Sequence, residues 1–212
     1  MPITDWISLA LVCMLGAFSP GPSLAVIFAI TRMNGRASGL MAAIGHGLGI
    51  LLYAFAAATS LSYLITNHAD IFFILQMIGA LMLLWLGYKL LKSSFSKSEA
   101  PQEQSEDPKA TSKGLLGGFT TGFIIAAFNP KTGAFFVSLF SQFLNQDQSL
   151  AIHIGMAGLA GFIDVSAYVI YVIAFTTAAL STAIDKMQHI LERLLGVILL
   201  FLGISLIASY LI

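Results

Sequence analysis

Charge is scarce in this sequence: 10 Lys or Arg and 10 Asp or Glu among 212 residues, or 9% of the chain, where soluble domains carry about 25%. So few charges cannot clothe a water-facing surface, and 58% of the residues are hydrophobic. The formal net charge is zero, which gives no footing for nucleic acid or for an acidic partner. Cysteine is reduced to Cys13, excluding an intramolecular disulfide, a two-cysteine redox relay and a cysteine-based metal site; Cys13 reads as a small buried apolar residue. A P-loop, a metal-ligand cluster and a Ser/His/Asp constellation at useful spacing are all missing. The sequence therefore argues against ATP-driven work and against an enzyme, and it calls for no cofactor.

What is abundant is apolar length. Crossing the hydrocarbon core takes about 20 apolar residues, and six stretches qualify: 6–31, 38–66, 71–92, 114–144, 149–178 and 190–212. The expectation is an all-α integral membrane protein of six transmembrane helices, in contact with lipid and with little chain left for a soluble domain. Residues 1–8 carry no Lys or Arg and no small-residue cleavage site follows, so the first segment is read as retained rather than as a signal peptide.

The basic residues give this topology a direction. Arg32 and Arg36 follow the first segment, Lys89, Lys92, Lys97, Lys109 and Lys113 fall at and after the third, and Lys186 and Arg193 lie between the fifth and sixth. The tenth, Lys131, sits inside the fourth. Positive charge favours the cytoplasm, which places those loops inside and both termini outside. Between the third and fourth segments the polar stretch 93–113 reads as a disordered cytoplasmic linker. It divides the chain into membrane repeats 1–92 and 114–212. Three segments is an odd number, so two halves of shared fold would be inverted repeats. The runs Gly79–Gly87 and Gly196–Gly203 give that idea modest sequence support.

Two proline motifs interrupt apolar segments: Ser19-Pro20-Gly21-Pro22 in the first and Asn129-Pro130-Lys131 in the fourth. Proline removes a backbone donor and strands a carbonyl one turn back; bilayers tolerate this only where protein or a wet cavity surrounds the break. Interruptions at matching places in two halves point to a transport site. Each segment then reads as two half-helices, Trp6–Phe18 with Leu24–Ile30, and Gly114–Phe128 with Thr132–Phe143. Ser19 is a candidate cap for the second half-helix, whose amide end favours a carboxylate.

Ionisable residues within the apolar segments complete the candidate set. An ammonium near mid-membrane costs about 2.5–3.5 kcal/mol on insertion scales, so Lys131 calls for a substrate carboxylate, for Asp164 as counter-ion, or for a structural pair. Asp164 needs a partner as well, and can carry a proton or hold a substrate ammonium. His46, flanked by Gly45 and Gly47, is a second candidate for proton coupling, with hydrogen-bonded packing as the alternative. Tyr53, Tyr168, Asn129 and Gln142 are candidates for a polar path or for interhelical hydrogen bonds. Trp6 and Tyr210 fit interfacial anchors, and Trp85 is expected to pack within the protein.

These motifs, with Arg32-Met-Asn-Gly35-Arg36 and Gly118-Phe119, resemble the lysine/homoserine exporter family (LysE/RhtB) of bacterial amino-acid efflux proteins. The resemblance runs over nearly the whole chain. It implies a multi-pass exporter of amino acids or their derivatives in the bacterial cytoplasmic (inner) membrane, an antiporter exchanging substrate for protons. The family's broken-helix motifs fall on Pro20, Gly21, Pro22, Asn129, Pro130 and Lys131. A homodimer through glycine-rich faces and use of those faces within one monomer stay open. The alternative function is a cation or heavy-metal efflux protein, or a channel, on the same scaffold.

Overall fold

A computed structural model describes residues 1–19, 21–95, 114–145, 148–176, 178–208 and 210. All regular structure among them is helical: α1 (Ile3–Ala17), α2 (Pro22–Asn34), α3 (Arg36–Asn67), α4 (Ala69–Phe95), α5 (Leu115–Ala127), α6 (Pro130–Phe140), α7 (Leu150–Phe175) and α8 (Ala178–Ala208). Helices α3, α4 and α7 are long and apolar enough to cross a bilayer, and the shorter apolar helices include α1, α5 and residues 193–208 of α8. The first and fourth apolar segments are each two helices, divided where the prolines stand. Residues 96–113 of the expected linker lie outside the described set, and α4 extends through Phe95 into its start. Arg193 donates from its guanidinium to the Ser94 carbonyl at 3.0 Å, closing the end of α4.

Close contacts establish how the helices run. Trp6 packs at Gly155, Phe18 against Tyr171 and Phe28 against Phe175, so α1 and α2 follow one another alongside α7 in its direction. Ser38 meets Gly118, Ala42 meets Gly122, and Tyr53 meets Gly133. Helices α5 and α6 therefore follow one another along α3. Gly35, at φ +86° between α2 and α3, makes the reversal that brings Thr31 onto Gly39; a side chain with a Cβ rarely adopts that backbone angle.

Small residues set these distances. A Cβ on Gly118, Gly122 or Gly45 would run into the carbonyl oxygens of Ser38, Ala42 or Phe119, respectively. The backbones of α3 and α5 thus touch, as small residues permit where lipid supplies no hydrophobic drive between helices. Gly87 of α4 and Gly196 of α8 meet in the same way, with a Cβ on Gly87 2.8 Å from the Gly196 carbonyl. Elements from the first half of the chain are therefore interleaved with those of the second. A continuous core of Leu9, Leu61, Leu139, Phe140, Met156 and Leu199 is fully enclosed.

On the outside, Ile74, Ile78, Leu81, Trp85 and Tyr88 give α4 an exposed apolar stripe. Trp85 is 60% exposed and lies beneath the Lys89 ammonium, 5.3 Å from a ring centroid. The expectation that it packs inside is corrected: an apolar residue is equally at home against lipid and against protein, so hydropathy alone does not decide which side it takes.

Candidate functional site

At the first break α1 ends at Ala17, with Phe18 donating back to the Met14 carbonyl at 2.9 Å and Ser19 to Gly16 at 3.2 Å. Gly21 then takes an extended conformation and caps α2, which begins at Pro22. Proline suits a first helical position, where its missing N–H would have no intrahelical partner. In an unbroken helix the Phe18 carbonyl would accept from residue 22, but Pro22 has nothing to donate. The Tyr171 hydroxyl of α7 donates to it instead, at 2.6 Å. The expected side-chain cap from Ser19 is not made: the N-cap is Gly21, with no side-chain hydrogen bond. The second break is tighter. Phe128 closes α5 by donating to Ile124, and Asn129 supplies the carbonyl that receives Gly133 N–H at 3.2 Å, opening α6.

Both breaks border one cavity of about 120 Å³. Ser19, Gly21 and Ser23 line it from the first break, Asn129 and Thr132 from the second, His46 from α3, and Asp164 and Tyr168 from α7. The amide ends of α2 and α6, which carry partial positive charge, therefore reach the same space. Leu86 and Leu90 of α4, Leu195 of α8, and Phe135 and Phe136 of α6 supply apolar wall.

His46 Nδ1 and Asp164 Oδ2 are 2.7 Å apart, with the two residues only 3% and 6% exposed. Small residues on both sides permit this approach: a Cβ on Gly47 would strike Val165, and one on Gly161 would lie 2.7 Å from Leu51. Burying a carboxylate without a partner is expensive, and His46 removes that cost by donating from Nδ1 or by forming an ion pair when protonated. The Tyr168 ring stacks on the imidazole, with centroids 4.3 Å apart and planes inclined by 23°. His46 Nε2 is buried without a protein partner among the described residues. It is thus available to a water or substrate atom in the cavity.

Of the residues expected from sequence, Ser19, Gly21, Asn129, His46 and Asp164 come together here. Pro22 and Pro130 open α2 and α6, while Pro20 lies outside the described residues. Lys131 is in the first turn of α6, and its side chain, like those of Pro22 and Pro130, is outside the described set. The partner found for Asp164 is His46. Tyr168 and Asn129 do line the cavity, whereas Tyr53 stands against Gly133 and Gln142 keeps a buried amide nitrogen with no partner among the described residues. Ser23, Thr132 and Tyr171 were not singled out by sequence. Pro22 signals a stranded carbonyl at Phe18, but only the tertiary fold reveals Tyr171 as the donor.

A profile of the family described as LysE type translocator matches residues 14–210. The chain is similar to the threonine efflux protein of Escherichia coli (strain K12), 23% identical over 206 residues covering 96% of this chain and 98% of that one. It is similar to the leucine efflux protein of Enterobacter sp. (strain 638), 30% identical over 201 residues, 91% of this chain and 90% of that one. A membrane protein of Escherichia coli (strain K12), YahN, is 28% identical over 187 residues, 86% of this chain and 79% of that one. No solved structure matches.

Proposed function

This chain belongs to the LysE type translocator family, and on that footing we propose that it exports amino acids across the bacterial cytoplasmic membrane, exchanging them for protons at the cavity between the two helix breaks. It is a transporter and not an enzyme. The observation that carries the reading is the meeting of two helix amide ends with a buried His–carboxylate pair in one cavity.

A zwitterion matches that arrangement. Its carboxylate fits the amide ends of α2 and α6, where backbone N–H groups and the helix dipole favour negative charge. Its ammonium fits Asp164, which would exchange His46 for the substrate. Coupling follows if the pair gains a proton when substrate leaves and loses it when substrate binds, the substrate ammonium then standing beside Asp164 in the proton's place. Lys131, one residue into α6, would add positive charge at the same amide end.

A six-span reading with inverted halves is supported by the helix directions. The pairs α1/α2 and α5/α6 count as one broken span each, running beside α7 and α3 respectively, and α4 meets α8 through the corresponding runs Gly79–Gly87 and Gly196–Gly203. With the basic loops in the cytoplasm, both termini lie outside.

The test is efflux from proteoliposomes preloaded with labelled amino acids, with and without an imposed proton gradient. Export of an amino acid that accelerates with an opposing inward gradient and vanishes in Asp164→Asn is the expected result. Flux indifferent to the gradient would remove proton coupling, and movement of a divalent cation in place of amino acids would transfer the protein to the cation-efflux alternative.

A further inference from the structure

The cavity has two unlike walls, and the difference specifies a substrate. Facing α3 and α7 it offers His46, Asp164 and Tyr168; facing α4 and α8 it offers Leu86, Leu90 and Leu195. Helices α3 and α7 pack on each other, as do α4 and α8, so the His46–Asp164 pair and the three leucines belong to separate helix pairs, although Ile50 of α3 and Ala160 of α7 also line the cavity. Leu86 and Leu90 remain partly exposed although they pack against the enclosed core. Their uncovered surface includes cavity lining, and apolar area left open in a binding site is stabilised by whatever apolar group covers it.

We infer, resting on the export reading above, that the substrate is a neutral amino acid with an aliphatic side chain, whose side chain lies on Leu86, Leu90 and Leu195 while its charged end faces His46 and Asp164. Once the amino acid's own ammonium and carboxylate are met on the polar wall, nothing on the leucine wall can receive more charge. A second ammonium would be buried there unpaired, and a side-chain hydroxyl would forfeit its hydrogen bonds to water without replacement. Acidic substrates fare no better, since Asp164 is the acidic residue lining the cavity and repels a second carboxylate.

Paired amino acids isolate the side-chain preference: valine against its isostere threonine, and norleucine against lysine, which adds an ammonium to the same four-carbon chain. In proteoliposomes holding the full-length protein, valine is expected to leave with kcat/KM about 10- to 100-fold above threonine, the range by which apolar pockets discriminate against an added hydroxyl. Norleucine is expected to exceed lysine by more. Leu86→Ser should narrow the valine-to-threonine ratio by at least about threefold, in line with the roughly fourfold that one buried methylene contributes. Should that variant not yield a monodisperse protein, Leu90→Ser carries the same comparison. Threonine or lysine exported as well as its apolar counterpart would overturn the inference and leave the export reading standing. A ratio unchanged in a well-folded wall variant would also overturn it. Failure of all amino acids to move would bring down both readings together.

Discussion

Tyr171→Phe tests the repair of the first helix break. The substitution deletes the hydroxyl that meets the Phe18 carbonyl at 2.6 Å and keeps a ring able to contact Phe18, Tyr168 and Phe175, whose centroids lie 5.7, 6.2 and 6.0 Å away. Packing is thus retained while one acceptor is stranded. An ordinary hydrogen bond contributes about 0.5–1.5 kcal/mol, and an unsatisfied buried acceptor costs about 1–3. Interhelical bonds in membranes average about 0.6 and reach about 1.7. Because Pro22 cannot substitute as donor, the upper part of the membrane range applies, giving a loss of about 1.5 kcal/mol. For a protein of this length that lowers Tm by about 3–6 °C, measurable by thermal unfolding in detergent. Tyr171→Leu, which also removes the ring, should cost more. A Tyr171→Phe protein melting within about 1 °C of the parent, with unaltered export, would refute the reasoning and mean that water already serves this carbonyl.

Three other outcomes follow from the geometry. In a double-mutant cycle His46→Ala and Asp164→Ala should show a coupling above about 1 kcal/mol in unfolding, within the range for residues in direct contact, and each single variant should lose export; additive effects would mean the 2.7 Å pair contributes no joint stability. Gly122→Ala, whose methyl would meet the Ala42 carbonyl, should destabilise by about 1–3 kcal/mol, while Gly158→Ala, with nothing within 4 Å, should be neutral or slightly stabilising; equal effects in thermal unfolding would contradict the close approach of α3 and α5. Ser19→Ala should leave Tm unchanged, because no cap bond is lost, against about 1 kcal/mol for a working cap, yet raise the KM for export if Ser19 contacts substrate.

The interruptions were legible because proline acts locally: the loss of an N–H breaks a helix in almost any context, and both α1/α2 and α5/α6 divide where the motifs stand. Long apolar runs likewise foretold α3, α4 and α7. Partnerships were not legible. Asp164 was recognised as needing a partner and His46 as a proton-coupling candidate, but they are 118 positions apart, and the counter-ion that sequence offered was Lys131. Tyr171 had no distinguishing signal among the aromatic residues of an apolar helix. Trp85 illustrates a limit specific to membranes, where an outward-facing and an inward-facing residue share the same hydropathy.

The interleaving of the helices bears on how the protein is made. Helix α3 has its glycine faces against α5 and α7, and α4 has its own against α6 and α8, so segments that emerge early are completed by those that emerge late. From Phe95 to the final residue, synthesis at about 5–20 residues per second takes on the order of ten seconds. Throughout that interval α3 and α4 can sit in the bilayer while their closest neighbours do not yet exist. A chain stopped after Phe95 should insert and yet lack a stable fold, presenting small-residue grooves to the membrane's degradation machinery. Supplying residues 114–212 as a separate polypeptide would restore those neighbours.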